Sequence, residues 1–357
     1  MLREAKYLAA YLAPLSALCA FLYGGIYSFL TPFIMFVLIP LLELLFTGTE
    51  RNLTKEEESG EKNKLVYDLM IYLNVPIQIG LMIFFLYTVT AGGLQTYEIV
   101  GMTLSMGMCC GVLGINVAHE LGHRHKKYEQ VMAKILLSSS LYMHFFIEHN
   151  RGHHKNVSTD LDPASARLGE SVYAFIFRSI TGAYMSAWHL ENDRIRKIGK
   201  PLFSLHNEMV RFHIYQGLLL LGVYLAFGAL GLLAFIGAAA GGYFLLECTN
   251  YIEHYGLRRK ELAPGHYEKT MPWHSWNSNH TIGRIMLYDL TRHSDHHYHA
   301  GRKYQILRHF DDSPQLPMGY PAAILMALIP PVWFAFMHKQ LTKVKKGSVL
   351  SPDLAMA

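Results

Sequence analysis

Histidine is the residue whose abundance and spacing point to chemistry in this chain, which contains 20 of them. Nine stand out because they form three clusters plus one isolated position near the end of an apolar segment. The clusters are HELGH (His119, His123), HNRGHH (His149, His153, His154) and RHSDHHYH (His293, His296, His297), and the isolated residue is His254 in NYIEHYGL. Residues three or four apart share one face of a helix. Imidazole binds iron, copper, zinc and nickel, so the pattern predicts a metal site without naming the metal.

Nine imidazoles exceed what a single metal ion accepts. Divided between two ions they supply four or five ligands each, with room for dioxygen. A single histidine in a membrane segment is more often a packed or hydrogen-bonded residue than a metal ligand. Four groups of histidines at the same depth relative to the membrane are hard to explain as packed residues alone. HELGH also matches the HExxH motif of zinc proteases, in which Glu120 would be the general base. That alternative leaves seven clustered histidines without a role.

Long apolar runs must position these clusters, since 51% of the residues are hydrophobic. Residues 7–50, 65–123 and 212–257 contain no Lys or Arg, which is typical of paired transmembrane helices. We predict an all-α integral membrane protein with six transmembrane helices in three hairpins, at residues 7–28, 30–47, 66–90, 97–119, 212–231 and 233–253. Basic residues flank only one side of these hairpins. The positive-inside rule therefore predicts that both termini are cytoplasmic, and that residues 120–211 and 254–357 form a cytoplasmic, histidine-rich cap within a single domain, 1–357.

Of two further apolar stretches, residues 131–147 are interpreted as an interfacial helix, and residues 321–337 as lying against the membrane or capping the cytoplasmic part. If residues 131–147 crossed the bilayer, the histidines before and after them would face opposite sides. If residues 321–337 crossed, the basic tail that follows would be exported.

Composition narrows the possible functions. The four cysteines form no CxxC pair, which argues against disulfide scaffolds and cysteine-ligated metals. There is no GxGxxG nucleotide motif, so any electrons must arrive from another protein. The net charge of +5 resides in the loops and reports membrane topology, so we expect no nucleic-acid partner.

Three histidine boxes followed by a late single histidine resemble the integral-membrane di-iron superfamily of desaturases, sterol hydroxylases and hydrocarbon monooxygenases. Within it, the segments HELGHRHKK, EHNRGHHKNVSTDLDPASAR, NYIEHYGL and LTRHSDHHYHAGRKYQ resemble the bacterial alkane 1-monooxygenase family, and the similarity runs over nearly the whole chain. NYIEHYGL is the most specific of these segments. The resemblance implies that the nine histidines hold two non-haem iron ions in a protein of the bacterial inner membrane.

The implied reaction is rubredoxin-dependent hydroxylation of the terminal methyl group of medium-chain n-alkanes by O2, giving 1-alkanols. The alternatives are a fatty-acyl desaturase, a xylene-type aryl-methyl hydroxylase or, from another class, an HExxH intramembrane zinc protease. The implied electron donor is a rubredoxin, itself reduced by a flavoprotein reductase. The acidic surface of the rubredoxin would dock on basic residues at the cytoplasmic face. Alternatively, these basic residues would contact anionic lipid. The candidates are Arg124, Lys126, Lys127, Arg194, Arg196, Lys197, Arg302 and Lys303.

Polar residues beside the ligand positions are candidates for orienting the imidazoles. The candidates are Glu120, Glu148, Asn150, Asp160, Asp162, Asn250, Glu253 and Asp295. Small residues on the fourth and sixth predicted helices are candidates for lining a substrate path or, equally, for close helix packing. They are Gly107, Gly111, Gly114, Gly237, Ala238 and Gly241.

Overall fold

The computed structural model describes residues 3–46 and 48–347, and its secondary structure is predominantly helical. Five helices are long and apolar enough to cross a membrane: α1 (Arg3–Tyr23), α2 (Gly25–Leu45), α4 (Leu65–Thr90), α5 (Thr96–Gly122) and α9 (Glu208–His254). The chain is therefore a multi-pass membrane protein. Residue 47, the predicted end of the second helix, lies outside the described residues, as do both termini and the last part of the predicted cap, 348–357.

The remaining helices and strands are shorter or more polar. They are α3 (Lys55–Lys62), α6 (Lys127–Ser138), α7 (145–156), α8 (Val172–Lys197), β1 (Glu261–Ala263), β2 (His266–Tyr267), α10 (Thr281–Met286), α11 (His293–Tyr298), α12 (Tyr320–Ala327) and α13 (Pro330–Gly347), with 3₁₀ turns at Pro272–His274 and Tyr304–Ile306. The two strands form a small antiparallel hairpin. All of these elements belong to the predicted cap or to the loop after α2.

The hairpin turns fall at glycines. The turn between α1 and α2 lies at Gly24, whose φ of 58° is a left-handed conformation that glycine adopts without strain. The sequence predicts this turn within residues 24–30, which includes Gly24, although the first predicted helix ends later, at residue 28. The 47-residue α9 is interrupted at Gly228 (φ 67°, ψ −169°), within the turn predicted at residues 228–233, although the predicted helix ends at residue 231. At 1.5 Å per residue α9 would be about 70 Å long, more than twice the hydrocarbon thickness, so it is long enough for two crossings.

Both additional apolar stretches are divided in the structure. Residues 131–147 are predicted as one helix, but α6 ends at Ser138 and α7 begins at residue 145 after a turn that includes Leu141 at φ 52°. The apolar face of α6, which includes Leu136 and Leu137, is buried. The second stretch is broken between α12 and α13, because Pro330 begins a new helix. Neither half of either stretch is among the helices suited to crossing a membrane.

Close contact between α5 and α9 determines the role of several small residues. A Cβ atom added at Gly107 would lie 3.2 Å from the Ala238 carbonyl oxygen and 3.2 Å from the Gly241 Cα atom. These three residues therefore allow the two helices to pack closely. Gly111, one turn further along α5, also lies close to α9, since an added Cβ atom would be 3.2 Å from Leu245, and it lines an apolar cavity as well. Close packing and a cavity wall thus occur on the same helix.

Polar contacts attach the cap to the membrane helices. The carboxylate of Asp289, which precedes α11, is buried between Arg284 (2.9 Å) and Lys6 of α1 (2.8 Å), and it also accepts a hydrogen bond from Tyr7. Burial raises the pKa of Asp289, but Arg284 and Lys6 outweigh it and leave the pKa at about 2. This ion cluster joins the start of the chain to the segment that carries the third histidine cluster.

Candidate metal centre

Four separate chain segments bring the nine clustered histidines to one place. The foot of α5 carries His119, with His123 directly after the helix, and His254 is the last residue of α9. The second cluster lies on α7 and the third on α11. Both α5 and α7 contain a wide π-helical turn, at Cys110–Ile115 and His149–His153, and such turns are frequent at functional sites. The widened turn of α7 lies within the histidine cluster itself.

The nine imidazoles form two groups in which every potential ligand atom lies within 4.8 Å of the others. One group contains His119, His123, His149, His154 and His296, and the other contains His153, His254, His293 and His297. The two adjacent pairs, His153–His154 and His296–His297, each contribute one ring to each group. Consecutive residues on a helix point about 100° apart, which allows neighbouring rings to reach two different centres. The sequence alone did not determine how the nine histidines divide between the two groups.

Nitrogen–nitrogen distances test whether metal ions fit these groups. The Nε2 atom of His149 lies 3.1 Å from Nε2 of His123 and 3.0 Å from Nε2 of His154. One imidazole nitrogen carries either a proton or a lone pair, so it cannot satisfy both neighbours through ordinary hydrogen bonds. Ligand nitrogens about 2.1 Å from one ion and at right angles would be about 3.0 Å apart. The group of five therefore has the spacing of a metal-binding set.

The second group gives the same result by a different observation. Nε2 of His293 lies 3.2 Å from Nε2 of His254, and within the described residues neither ring nitrogen of His297 has a hydrogen-bond partner. Nε2 of His119, in the group of five, is also buried without a partner among those residues. Buried polar atoms are normally paired, so these nitrogens fit a role as ligands.

Most of the rings are neutral at physiological pH, as metal ligation requires. Burial lowers the pKa of His123 to about 3. Burial and the surrounding imidazoles also lower the pKa of five of the six clustered histidines on α7 and α11. These five are His149, His154, His293, His296 and His297. The exception is His153: burial lowers its pKa, but the charge and hydrogen bond of Asp162, together with the charges of Glu148 and Glu253, raise it overall.

Asp162 orients His153. Its Oδ2 atom lies 2.9 Å from His153 Nδ1 and also accepts a hydrogen bond of 2.5 Å from Ser165, while its Oδ1 accepts one from the Ala164 backbone N–H. A carboxylate bonded to the far nitrogen of a ligating histidine determines which nitrogen faces the metal. Asp162 was one of the candidate orienting residues, and the structure gives it a direct imidazole contact.

The remaining orienting candidates have varied contacts. Glu253 lies 3.3 Å from Nε2 of His293 and accepts a hydrogen bond from Tyr320, a residue that the sequence did not single out. Glu120 binds Arg124 instead of a histidine, and Asp295 binds Arg302. Within the described residues the others form no hydrogen bond to a clustered imidazole. Asn150 donates to the Phe146 carbonyl and Asn250 to Glu247, Glu148 accepts from Ser186, and Asp160 is exposed beside Arg258.

An apolar cavity of about 140 Å³ opens onto both histidine groups. It is bordered at one end by His119, His149 and His293 and extends along α5 as far as Met108. Eleven residues of helix correspond to about 16 Å. Most of the wall between these ends is aliphatic or aromatic, with contributions from α2, α5, α9, α10 and α12. The arrangement can hold a long, thin, apolar molecule with one end at the imidazoles.

Several predicted docking residues are occupied by internal carboxylates. Arg124 and Lys303 both bind Asp68, and Arg124 is buried. Arg302 binds Asp295, and Arg194 binds Glu191. The basic side chains that remain at the surface are Lys126, Lys127, Arg196 and Lys197.

Comparisons with known proteins agree on a family. A fatty acid desaturase family model matches residues 96–335. The alkane 1-monooxygenase of Pseudomonas putida is 42% identical over 313 residues, which cover 87% of this chain and 77% of that protein. Alkane 1-monooxygenase 2 of Pseudomonas aeruginosa is 39% identical over 91% of this chain and 87% of its own length. The xylene/toluene monooxygenase hydroxylase component of Pseudomonas putida is 30% identical over 97% of this chain and 93% of that component.

Proposed function

Because the chain belongs to the alkane 1-monooxygenase family of membrane oxidoreductases, we propose that it converts medium-chain n-alkanes into 1-alkanols at a di-iron centre held by the nine clustered histidines. The observation that carries the proposal is the position of the two histidine groups at the end of a long apolar cavity. The overall reaction consumes one alkane, one O2, two electrons and two protons, and yields one alcohol and one water.

The cavity supports the choice of a linear apolar substrate. Its wall offers few polar groups away from the histidine end, so a polar or charged chain would lose hydration without compensation. The narrow path along α5 orients a chain end-on, which supports attack at a terminal methyl group. Its length of about 16 Å along the helix supports a substrate of medium length.

The nine imidazoles support the choice of iron as the metal, although neutral imidazole also binds copper and zinc. When bound, a pair of iron ions supplies the redox chemistry with O2 that no side chain of the protein can perform. The residues of the chain would do the rest. Asp162 holds the tautomer of His153, and Glu253 and Tyr320 brace the other side of the site next to His293. The apolar wall excludes bulk water from the end where the substrate methyl group would lie.

The location and topology are part of the same proposal. We infer a bacterial inner-membrane protein with six spans, the last two formed by α9 on either side of Gly228, and with the histidine cap and both termini in the cytoplasm. The lysine- and arginine-free turn between α4 and α5 and the basic residues after α5 support this orientation. A membrane location suits a substrate that dissolves in the bilayer.

The electron donor is proposed to be a rubredoxin reduced by a flavoprotein. Of the predicted docking residues, Lys126 and Lys127 support this best, since both are exposed and follow His123 closely in sequence. His123 is also one of the less deeply buried of the nine histidines. An acidic donor bound there would lie close to the group of five.

A product assay tests the function. Purified, iron-loaded protein in lipid nanodiscs is supplied with rubredoxin, its reductase, NADH and either octane, dodecane or xylene. We expect 1-octanol and 1-dodecanol, with about two irons per chain by metal analysis. Oxidation of xylene alone would favour the aryl-methyl alternative raised by the similarity to the xylene/toluene monooxygenase component. One zinc per chain and no alcohol would contradict the proposal.

A further inference from the structure

A second, smaller cavity lies behind the histidine groups and differs in chemistry from the apolar one. Its volume is about 10 Å³, enough for about one water molecule. Tyr142, His144, Glu148 and Glu247 are among the residues that line it, and His149 and His153 also border it. These last two residues belong to different histidine groups, so the cavity adjoins both.

Three residues separate the two cavities. Phe145, His149 and Asn250 line both of them, with the apolar cavity on one side and the polar cavity on the other. An alkane in the apolar cavity would therefore approach the metal centre from one face. The polar cavity, which adjoins His153 and is separate from the apolar one, gives a second access to the histidine groups. The reaction needs two protons per turnover, and an apolar substrate channel cannot deliver them.

The polar cavity contains groups suited to carrying a proton. The Tyr142 hydroxyl donates a 2.9 Å hydrogen bond to Glu247, and both residues are buried. Among the described residues, Glu247 forms no ion pair, unlike the buried Asp289 and Asp162. His144 also lines the cavity; it is only 8% exposed, and its Nε2 atom has no hydrogen-bond partner within the described part of the chain. Burial, followed by the nearby His213, lowers the pKa of His144 to about 4. The ring is therefore neutral and offers one donor and one acceptor nitrogen.

Aromatic contacts connect this cavity to the surface. The ring of His144 lies edge-to-face on Tyr142, with centroids 4.2 Å apart, and on Tyr184, with centroids 5.5 Å apart. The hydroxyl of Tyr184 is hydrogen-bonded at 2.8 Å to Nε2 of His213, which is exposed. Two hydrogen-bonded pairs, His213–Tyr184 and Tyr142–Glu247, thus lie on either side of the His144 ring, which touches both tyrosine rings.

We propose that His213, Tyr184, His144, Tyr142 and Glu247 form the path by which protons reach the metal centre, with a water molecule in the polar cavity completing it. Glu247 carries a proton in the resting enzyme and passes it through the cavity. Tyr142 then reprotonates Glu247 and regains its own proton from His144 through the water molecule, because among the described residues His144 touches Tyr142 and Tyr184 through ring contacts only. A second water molecule would resupply His144 from the hydrogen-bonded pair of Tyr184 and His213. Only O–H and N–H bonds form and break along the path. This role rests on the proposed monooxygenase function, because that reaction creates the demand for protons.

The variant E247Q tests the path with little change in shape. It retains an acceptor for the Tyr142 hydroxyl but cannot release a proton. In the iron-loaded enzyme with rubredoxin and reductase, we expect kcat to fall at least about 10-fold, while KM for octane changes less than about twofold because the apolar cavity is untouched. The solvent deuterium isotope effect on kcat should rise, and more of the consumed O2 should appear as peroxide. Y142F and H144F should show the same direction.

The matched control is E61Q. Glu61 also accepts a hydrogen bond from a buried tyrosine, Tyr67, at 2.5 Å, but it pairs with Lys64 and lines neither cavity. Its kcat and isotope effect should match those of the wild type. If E247Q behaves as E61Q does, with unchanged kcat and isotope effect at equal iron content, the path is not used.

An infrared measurement on the metal-free protein separates this proposal from the proposed function. The carboxylic acid band of Glu247, identified by its loss in E247Q, should shift on mixing with D2O in the wild type and shift at least about 10-fold more slowly in H144F. Equal exchange in both proteins would overturn the role of His144. If the wild type makes no alcohol, the proposed function fails, while this exchange experiment still decides whether the path conducts protons.

Discussion

Nδ1 of His153 lies 2.9 Å from Oδ2 of Asp162, and both side chains are almost completely buried. Since Nδ1 is engaged, Nε2 is the ring nitrogen left for the group of four. Replacing Asp162 by Asn weakens this hydrogen bond and removes the charge that favours one tautomer. We expect D162N to bind iron about 10- to 100-fold more weakly, measured by competition with a chelator. D160N is the control because Asp160 is 73% exposed. Equal affinities in the two variants would contradict the role of Asp162.

His254 is the only member of either group that comes from the last transmembrane segment. H254A removes one of four imidazoles from its group, and no neighbouring histidine in sequence can replace it. We expect the variant to insert into the membrane, to retain about one iron per chain and to make no alcohol. Metal analysis and product detection measure this. H266A, at an exposed position in the β-hairpin, should behave as the wild type does. Normal turnover by H254A would show that the centre is built from other ligands.

Met108 marks the end of the apolar cavity that lies furthest along α5 from His119. A larger side chain there should shorten the space available to the alkane. We expect M108F to lower the ratio of dodecanol to octanol formed and M108A to raise it, as measured in mixed-substrate assays. M106A is the control, since Met106 is also buried on α5 but does not line the cavity. If M106A shifts the ratio as much as M108A, general packing rather than cavity length decides it.

Membrane orientation can be tested at both ends of α5. Lys127 and Lys155 are exposed near the histidine clusters, and Thr96 is exposed at the opposite end of the helix. In a background without the four native cysteines, single cysteines at Lys127 and Lys155 should react with an impermeant maleimide only from the cytoplasm. A cysteine at Thr96 should react only from outside. Labelling of the Lys127 or Lys155 position from outside would contradict a cytoplasmic metal centre.

Asp289 should stabilise the attachment of the cap in a pH-dependent way. Its folded pKa of about 2 lies below the unfolded value of about 3.9, so its contribution is complete above about pH 4 and is lost as pH falls towards 2. We expect D289N to lower the free energy of unfolding by about 2–3 kcal/mol at pH 7 and to approach the wild type near pH 2. Melting temperatures in detergent at both pH values measure this. D312N, at an exposed site, should have little effect, and a D289N deficit that persists at low pH would contradict the ionic origin.

Local periodicity explains why much of the site could be anticipated. A spacing of three or four residues places two imidazoles on one helical face wherever the helix lies, so the nine histidines stood out before any tertiary contact was known. The apolar runs likewise predicted α4 and α5 to within a few residues, because a span needs a minimum length without charge. The predicted split of α9 around Gly228 and Gly231 includes the observed break at Gly228, and the sequence alone did not decide between the two glycines.

Relations between helices were decided only by the tertiary structure. Sequence spacing does not reveal that His153 and His154 serve different groups, because that depends on where α9 and α11 meet α7. It also cannot show that Arg124 and Arg302, apparently free for a partner, are taken up by Asp68 and Asp295. Spacing along one helix determines which side chains share a face. Which of them meet a partner from a distant segment depends on packing, and packing separated the apolar cavity from the polar one.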